Sequence, residues 1–528
     1  MRNPLWMRRI LPRATMVRSS MGVYYTVAAL ASSCCHSFQP SPALGRHYLF
    51  HQSTRCFSAS RTPEEVEMTR DALAIVQQAI QAVDPSNAVQ QYMRVDPMTG
   101  VLQIEEHQYH AGDYDNVLLL AFGKASSAMA TACVQQLQQH DTWTGIPMKG
   151  VVIVKDDHGT EEEYKVLQTS GIEIQPASHP VPDQRSVDGA RRIIQLAQEE
   201  ATVRTLVMCC ISGGGSSLFC EPQPPLSLEA LQQTNSVLLA SGLSITDMNV
   251  IRKRLETGKG GKLAVAVHPA TLVTLILSDI LGDPLDLIAS GPTVPDQSTP
   301  QDAWRLIQSN PVIRNGLPRD VLDLIQEQVE EDNGPLDASH AVFEKAATVL
   351  VGNNELAVVA AADEAKRRGY NPVILGTRME GEAQHVAGVY TAMAQHIGGD
   401  YSMAQRPAAL IAGGETTVTL PPNNSGKGGR NQELALAAAM QLQDMGLRNV
   451  VLASVGTDGT DGPTDAAGAV VDGGTVQRLP GSAEEALQQH NAYAYLQQVE
   501  EGEDEHCPLI KTGPTGTNVA DVCVTLIR

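Results

Sequence analysis

The sequence TLVTLIL at residues 271–277 is followed at once by SDILGDPLDLIASGPT at residues 278–293. The first segment is an unbroken apolar run, which is typical of a strand that helices cover on both faces. Similar runs at residues 116–121 and 205–211 each lead into a glycine-containing turn and then a segment with helical spacing of apolar residues. This alternation of strands and helices predicts an α/β protein built from parallel sheets.

The chain has 528 residues, which is too long for one hydrophobic core. Stretches rich in proline, glycine and acidic residues at 291–300 and 327–334 mark the predicted boundary between two domains. The pattern restarts with a predicted strand at residues 347–351. We therefore predict an N-terminal domain at residues 61–335 and a smaller C-terminal domain at residues 336–528.

Acidic residues outnumber basic ones, 59 against 38, which gives a formal net charge of −21. A nucleic-acid partner is excluded on this ground, because neutralising phosphates requires a basic surface. The composition also gives no indication of a membrane protein. An acidic enzyme can still bind anions through a few local cations and helix N-termini.

Residues 1–60 differ from the rest, with seven Arg, nine Ser and no acidic residue. This composition is typical of a mitochondrial transit peptide, and Arg55 favours cleavage after Phe57. The apolar stretch at residues 21–31 is too short to span a bilayer. A secretory signal and a disordered segment without an address are the alternatives. We predict the mitochondrial matrix, with a cytoplasmic form if the protein is made without this leader.

The chain has nine cysteines, and no CxxC pair occurs among those after the leader. They are predicted to be reduced, buried thiols rather than a zinc site or a disulfide framework.

Ligands of such sheets bind beyond the carboxyl ends of the strands, so the residues after each strand are the candidates for function. The first candidate is AFGKAS, residues 121–126, where Lys124 stands at a helix N-terminus and suits a carboxylate or phosphoryl group. A surface lysine after a tight turn is the alternative. The second is a glycine loop whose amides and hydroxyls suit a phosphate, or else a plain flexible turn. The residues of this loop are Ser212, Gly213, Gly214, Gly215, Ser216 and Ser217.

The third candidate is cationic: MNVIRKRLETGKGGKLA, residues 248–264, offers Arg252 and a turn with Lys259 and Gly260. It predicts either a phosphate-binding surface or a solvated basic helix face. The fourth is acidic, since Asp279 and Asp283 follow the strand at residues 271–277. Carboxylates near phosphates are ligands for Mg²⁺, whereas helix capping would explain one of them but not all.

The last candidates lie in the second domain. Arg430 stands where a helix is predicted to begin, against the dipole preference, which a bound anion would compensate. SVGTDGTDGPTDAAGA, residues 454–469, places Asp458 and Asp461 after a strand but lacks the glutamate of a calcium loop. Cations, glycine loops and carboxylates at one sheet edge are the components that phosphoryl transfer needs.

The motifs AFGKA, SGGGSS, NVIRKRL with KGGKLA, LSDILGDPLDLIASGPT, GGETTV, GKGGRNQE and GTDGTDGPTDAAGA also resemble a known family. They are similar to those of the D-glycerate kinases that carry a MOFRL-type C-terminal domain, over roughly residues 65–527. The resemblance implies a Rossmann-like parallel α/β/α N-terminal domain and a smaller MOFRL-type α/β domain. It implies an ATP- and Mg²⁺-dependent kinase for the small molecule D-glycerate, with its active site between the domains. The catalytic lysine and arginine of the family fall on Lys124 and Arg430.

On this basis the loop at residues 213–217 holds the ATP phosphates and Asp279, with Asp283 as a second candidate, holds Mg²⁺. Lys259 and Gly260 are further nucleotide ligands. Lys124 neutralises charge on the transferred phosphoryl group.

The remaining roles concern the acceptor substrate. Arg430 is expected to grip the glycerate carboxylate bidentately, with Lys124 and Arg252 as further substrate ligands. Asp458 is expected to accept the hydroxyl proton, and Asp461 or Asp283 could substitute for it.

Two other functions are compatible with the sequence. An NAD(P)-dependent hydroxypyruvate reductase would bind a similar acid, but the GxGxxG motif is missing. A non-catalytic sugar-acid sensor would not need several aspartates beside phosphate loops. The sequence leaves open which glycerate hydroxyl is phosphorylated and whether the chain is a monomer or a homodimer.

Overall fold

The structure, a computed structural model, describes residues 61–331, 334–479, 481–498 and 507–528. The predicted leader at residues 1–60 and its cleavage point after Phe57 lie outside the described residues. Within the described ranges, no helix combines the length and apolar character that crossing a membrane requires.

The strands of the described residues are numbered in chain order. They are β1 (Met93–Val95), β2 (Leu102–Ile104), β3 (His107–Tyr109), β4 (Asn116–Phe122), β5 (Met148–Lys155), β6 (Ile172–Ala177), β7 (Thr205–Ile211), β8 (Thr271–Leu277), β9 (Ala346–Gly352), β10 (Asn371–Met379), β11 (Ala408–Gly414), β12 (Val450–Gly456), β13 (Gly468–Asp472), β14 (Leu509–Ile510) and β15 (Asp521–Ile527).

The α-helices of the same residues are numbered in the same way. They are α1 (Pro63–Ala82), α2 (Pro85–Tyr92), α3 (Ser126–Leu137), α4 (Asp141–Thr144), α5 (Glu161–Thr169), α6 (Gln184–Glu200), α7 (Gly215–Leu218), α8 (Leu228–Ala240), α9 (Ile245–Leu255), α10 (Lys262–Val267), α11 (Pro300–Ser309), α12 (Pro311–Gly316), α13 (Arg319–Glu331), α14 (Asn354–Arg367), α15 (Ala383–His396), α16 (Arg430–Asp444), α17 (Thr475–Arg478), α18 (Ala483–Gln488) and α19 (Ala492–Leu496).

The first sheet has six parallel strands in the order β6-β5-β4-β7-β8-β9. Numbered in chain order, these strands run 3-2-1-4-5-6, which is the order of the dinucleotide-binding α/β fold. Its interior strands β7 and β8 are buried along almost their whole length, as their unbroken apolar sequences predict. In this topology the ligand crevice lies where the strand order reverses, between β4 and β7.

The strand predicted to open the second domain is β9, and it belongs to the first sheet, where it pairs in parallel with β8. The acidic stretch at residues 327–334, predicted as a linker, begins inside helix α13. A pattern of alternating strands and helices cannot show which sheet a strand joins, so the predicted boundary after residue 335 precedes the last strand of the first sheet. Conversely, a helix from the start of the predicted N-terminal domain lies with the second sheet. Helix α1 packs against α14 and against β12 and β15.

The second sheet has the order β10-β11-β15-β12-β13-β14 and is mixed, which corrects the prediction of parallel sheets throughout. Only β10 and β11 run parallel; β15, the last strand of the chain, lies antiparallel between β11 and β12. Residues 416–420, although rich in β-branched residues, form no strand, and Thr417 makes one isolated bridge with Glu382. A separate antiparallel sheet contains β1, β2 and β3.

The six cysteines within the described ranges are free, and five of them are buried, as predicted. The closest pair, Cys133 and Cys210, has its sulfur atoms 3.6 Å apart beneath the first sheet. The hydrogen bond with Cys210, followed by burial, raises the pKa of Cys133, so these thiols act as small hydrophobic groups.

Asp71 of α1 joins the N-terminal helix to the end of the chain. Its carboxylate accepts hydrogen bonds from Arg368 Nη1 at 2.8 Å, from the Tyr370 hydroxyl at 2.9 Å and from Arg528 Nη2 at 3.3 Å. Asp71→Ala should therefore lower the free energy of unfolding by about 1–3 kcal/mol, because it leaves partly buried donors unpaired. Glu67→Ala removes another Arg528 partner whose side chain is 63% exposed, and its effect should be much smaller. Urea unfolding followed by circular dichroism compares the two; equal losses would contradict this.

Candidate active site

A cavity of about 1530 Å³ is lined by residues that follow strands of both sheets. The first sheet contributes the loop at residues 212–217 after β7 and Asp279 after β8. The second sheet contributes Glu415, directly after β11, and the helix α16 contributes its first residue, Arg430. Segments that lie far apart in the chain thus border one cavity, as the predicted phosphoryl-transfer site requires.

The glycine loop, residues 212–217, is fixed to the neighbouring strand end. Ser212 Oγ accepts a hydrogen bond from the Ala125 amide at 3.0 Å, and the Lys124 amide donates to the Gly213 carbonyl at 2.8 Å. Within the described part of the chain, the N–H groups of Gly213 and Gly214 have no protein acceptor. Unpaired amides on a held loop are donors for an anion.

Gly213 allows close approach to Asp279. A Cβ atom at this position would lie 2.2 Å from Asp279 Oδ2, a contact that no side chain tolerates. Gly213→Ala should displace the carboxylate or the loop and lower kcat/KM by more than about 10-fold, because small misplacements of reacting groups are costly. Gly112→Ala is the matched control, since a Cβ there would meet nothing within 4 Å. Steady-state kinetics of the two variants check this, and a loss shared by both would contradict it.

Lys124 does not itself line the cavity. Its Cγ lies 3.4 Å from where a Gly214 Cβ would be, beside His179, which does line the cavity. Asp279 is nearby: burial raises the pKa of this carboxyl, the charge of Lys124 opposes that rise, and Asp458 adds to it. Asn518 Nδ2 donates to Asp279 Oδ2 at 3.4 Å. Lys124, Asp279 and Asp458 are therefore brought together, although they come from both sheets.

Arg430 is bound by two carboxylates. Its Nε and Nη2 donate to the two oxygens of Asp521 at 2.6 and 2.9 Å, and its Nη1 lies 3.0 Å from Glu415 Oε1. Burial acts to lower the pKa of Arg430, but the hydrogen bonds and charge of Asp521 outweigh it and raise the pKa. One N–H on each terminal nitrogen remains, so the end of the guanidinium can still bind an anion.

Asp461 and Asp283, the two alternatives to Asp458 as the base, are occupied by protein donors. The Asp461 oxygens accept the amides of Asn431 and Gln432 at 3.1 and 2.9 Å and cap α16. Asp283 Oδ2 accepts a hydrogen bond from Asn353 Nδ2 at 2.7 Å, which also disfavours it as a metal ligand. Asp458 does not line the cavity either, and its Oδ1 accepts two hydrogen bonds from Thr460. It remains the candidate because its charge acts on the carboxyl of Asp279, which does line the cavity.

The cationic segment is mostly structural. Lys253 and Arg254 pair with Asp296, and Lys262 Nζ donates to two carbonyls at the end of α9. Arg252 alone among these lines the cavity with donors to spare, its Nε being bound to Asn235. Of the cationic side chains in the predicted phosphate-binding surface, only Arg252 is therefore left to bind an anion in the cavity.

Lys259 and Gly260, predicted to bind nucleotide, bond to other protein groups in this structure. The three protons of the Lys259 ammonium are directed at Ser216 O, Ser216 Oγ and Glu256 Oε1, at 2.6–3.0 Å. The Gly260 amide donates to the Ser290 carbonyl at 3.0 Å. Direct contact of either with a nucleotide stays a prediction that this geometry does not favour.

Sequence reasoning missed His179 and Asp521. Asp521 begins its strand rather than ending one, and it reaches the same edge as Glu415 only because β15 runs antiparallel beside β11. His179 follows β6 by two positions, so reading every strand end would have found it.

Two family models match the chain: a domain of unknown function, DUF4147, at residues 71–326 and the MOFRL family at residues 408–521. D-glycerate 2-kinase of Thermotoga maritima is 37% identical over 461 residues, covering 86% of this chain and 97% of that protein. The chain belongs to the glycerate kinase family.

A solved glycerate kinase structure from Thermotoga maritima agrees with this membership. It has a TM-score of 0.72 and 36% identity, covering 88% of this chain and 100% of that chain. One relative has a different name: a putative hydroxypyruvate reductase of Agrobacterium vitis is 36% identical over 414 residues, covering 78% of this chain and 99% of that protein. That name does not outweigh the kinase relatives, and the glycerate kinase family accounts for both sheets and the cavity between their loops.

Proposed function

We propose that the protein transfers the γ-phosphoryl group of ATP to the 2-hydroxyl of D-glycerate. The glycine loop carries this proposal, because its unpaired amides lie beside Lys124 and Asp279 at the point where the strand order reverses. The names of the relatives from Thermotoga maritima and Pyrococcus horikoshii specify a 2-kinase, which favours the 2-phospho product over the 3-phospho product.

Mg²⁺ fits the donors that the chain offers. Asp279 and Asp458 are close enough to influence each other, and Mg²⁺ is usually held by one or two carboxylates together with phosphate oxygens. The wall of the cavity carries six carboxylates and three cationic side chains, so an ATP polyanion needs a divalent ion there. When bound, Mg²⁺ would neutralise charge that develops on the transferred group. No group of three or more ligands forms a metal cluster among the described residues, which suits an ion that arrives with the nucleotide.

The other residues of the site have separate roles in substrate binding and phosphoryl transfer. The amides of Gly213 and Gly214 bind phosphate oxygens, and Lys124 stabilises the charge of the transferred phosphoryl group. Arg430 approaches the same group with its free end. Because Asp521 and Glu415 offset its charge, Arg430 acts through the N–H donor that remains on each terminal nitrogen rather than through net charge. Asp458 is the group that accepts the hydroxyl proton.

The decisive experiment mixes the purified protein with ATP, Mg²⁺ and D-glycerate and identifies the product by phosphorus and proton NMR. We expect 2-phosphoglycerate. A 3-phospho product would overturn the regiochemistry, and the absence of any phosphorylated product would overturn the kinase. Incubation with hydroxypyruvate and NADH tests the reductase that the Agrobacterium vitis relative suggests by name, and no loss of NADH absorbance is expected.

We also infer import into the mitochondrial matrix from the acid-free, arginine-rich residues 1–60. A reporter fused to these residues should enter mitochondria. Its exclusive appearance in the secretory pathway or the cytoplasm would contradict the inference.

A further inference from the structure

Three side chains lie at or just after the ends of the neighbouring strands β4, β5 and β6 of the first sheet. Phe122 of β4 pairs with Ile153 of β5, so Lys124 and Lys155 each follow this pair by two positions. Lys155 in turn pairs with Ala177, and His179 follows that residue by two positions. The register thus brings two lysines and a histidine to one edge of the sheet.

His179 connects these lysines to the cavity. It lines the cavity, and its ring lies 2.8 Å from where a Gly214 Cβ would be. Burial, followed by the charges of Lys124 and Lys155, lowers the pKa of His179 to about 4. The ring is therefore neutral at physiological pH, and both lysines lie within electrostatic reach of it.

Neither lysine is neutralised by the protein. Within the described residues, the ammonium groups of Lys124 and Lys155 form no ion pair and no hydrogen bond. Asp279 is close enough to Lys124 for their charges to interact, but the two form no ion pair. Asp156, which follows Lys155 in the chain, is already bound by Arg185, which also binds Asp183, each at 2.7 Å.

Two partly buried, unpaired cations side by side repel each other, and a bound anion relieves that repulsion. The strand order β5-β4-β7 puts Lys124 between Lys155 and the glycine loop. If the loop binds the phosphates, the anion beside Lys155 belongs to the other substrate.

We propose that Lys155, next to Lys124, binds the carboxylate of the glycerate acceptor, with the neutral His179 ring beside it. This inference rests on the proposed function, and it names a substrate ligand that the sequence motifs did not indicate. If Lys155 binds the glycerate carboxylate, Lys124 would lie between the acceptor and the glycine loop, next to the phosphoryl group that is transferred.

Lys155→Met tests the proposal. It should raise KM for D-glycerate by about 10- to 100-fold, the value of a lost charge-assisted hydrogen bond, and leave KM for ATP unchanged. Glyceramide, which lacks the charge, should be a poor substrate for the unaltered protein, and Lys155→Met should largely abolish the preference for glycerate over glyceramide. Lys155→Arg should keep most of that preference.

Lys149→Met is the matched control, because Lys149 lies on the same strand and pairs with Glu200 at the surface. It removes the same charge and should leave both KM values unchanged. A rise in KM for ATP alone after Lys155→Met would assign the site to nucleotide phosphate, and two unchanged KM values would show that no substrate anion binds there; either result overturns the proposal. If the unaltered protein does not turn over glycerate, the proposed function fails, and calorimetric titration of D-glycerate into both proteins still decides whether Lys155 binds it.

Discussion

Lys124→Met should lower kcat by about 100-fold or more while the protein stays folded. A positioned cation that stabilises the transition state contributes about 3–4 kcal/mol, and each 1.36 kcal/mol is a factor of ten in rate. The side chain forms no ion pair or hydrogen bond with other described residues, so its removal leaves no partner unsatisfied. Stopped-flow or steady-state phosphorylation of D-glycerate measures the loss.

The circular dichroism spectrum and the urea midpoint of Lys124→Met should match those of the unaltered protein. Lys124→Arg keeps the charge but must fit beside His179 and the glycine loop, so it should recover only part of the rate. Turnover near normal in Lys124→Met would remove Lys124 from the mechanism, whatever the family relationship implies.

Local sequence patterns were sufficient where a segment is buried on both faces. The predicted bounds of β7 and β8 agree with the structure at both ends, because continuous apolar runs end sharply at polar or glycine residues. The order of the strands was not accessible, since it depends on pairing between segments far apart in the chain. The insertion of β15 between β11 and β12 is the clearest case, because it makes the second sheet mixed.

The candidate site, like the fold, could be predicted from the sequence only in part. Strand ends indicated Lys124, the glycine loop and Asp279, which the structure brings together. Residue type alone could not distinguish a ligand-binding cation from one that the protein already binds. Lys259 has its three donors occupied, whereas Lys155, an ordinary strand-end lysine in the sequence, has none of its own occupied by a described residue. That difference depends on side-chain partners, which only the three-dimensional arrangement supplies.

Arg430→Ala should lower kcat by about 100-fold or more and, unlike Lys124→Met, should also destabilise the protein. Asp521 is 7% exposed and receives both bonds of the arginine, so the variant leaves a buried carboxylate without its main partner. Removing one member of a buried ion pair costs up to about 3 kcal/mol in such a partly exposed setting. Kinetics and urea unfolding of the same preparation measure the two effects.

The double variant Arg430→Ala with Asp521→Asn separates catalysis from stability. Replacing the unpaired Asp521 carboxylate should restore much of the free energy of unfolding. A neutral amide beside Asn431 costs less free energy to bury than an unpaired carboxylate does. The rate should stay low, since the guanidinium that faces the phosphoryl group is still missing. If the double variant regains activity along with stability, Arg430 serves only to neutralise the Asp521 carboxylate, and the phosphoryl group must be stabilised by Lys124 and the metal without it.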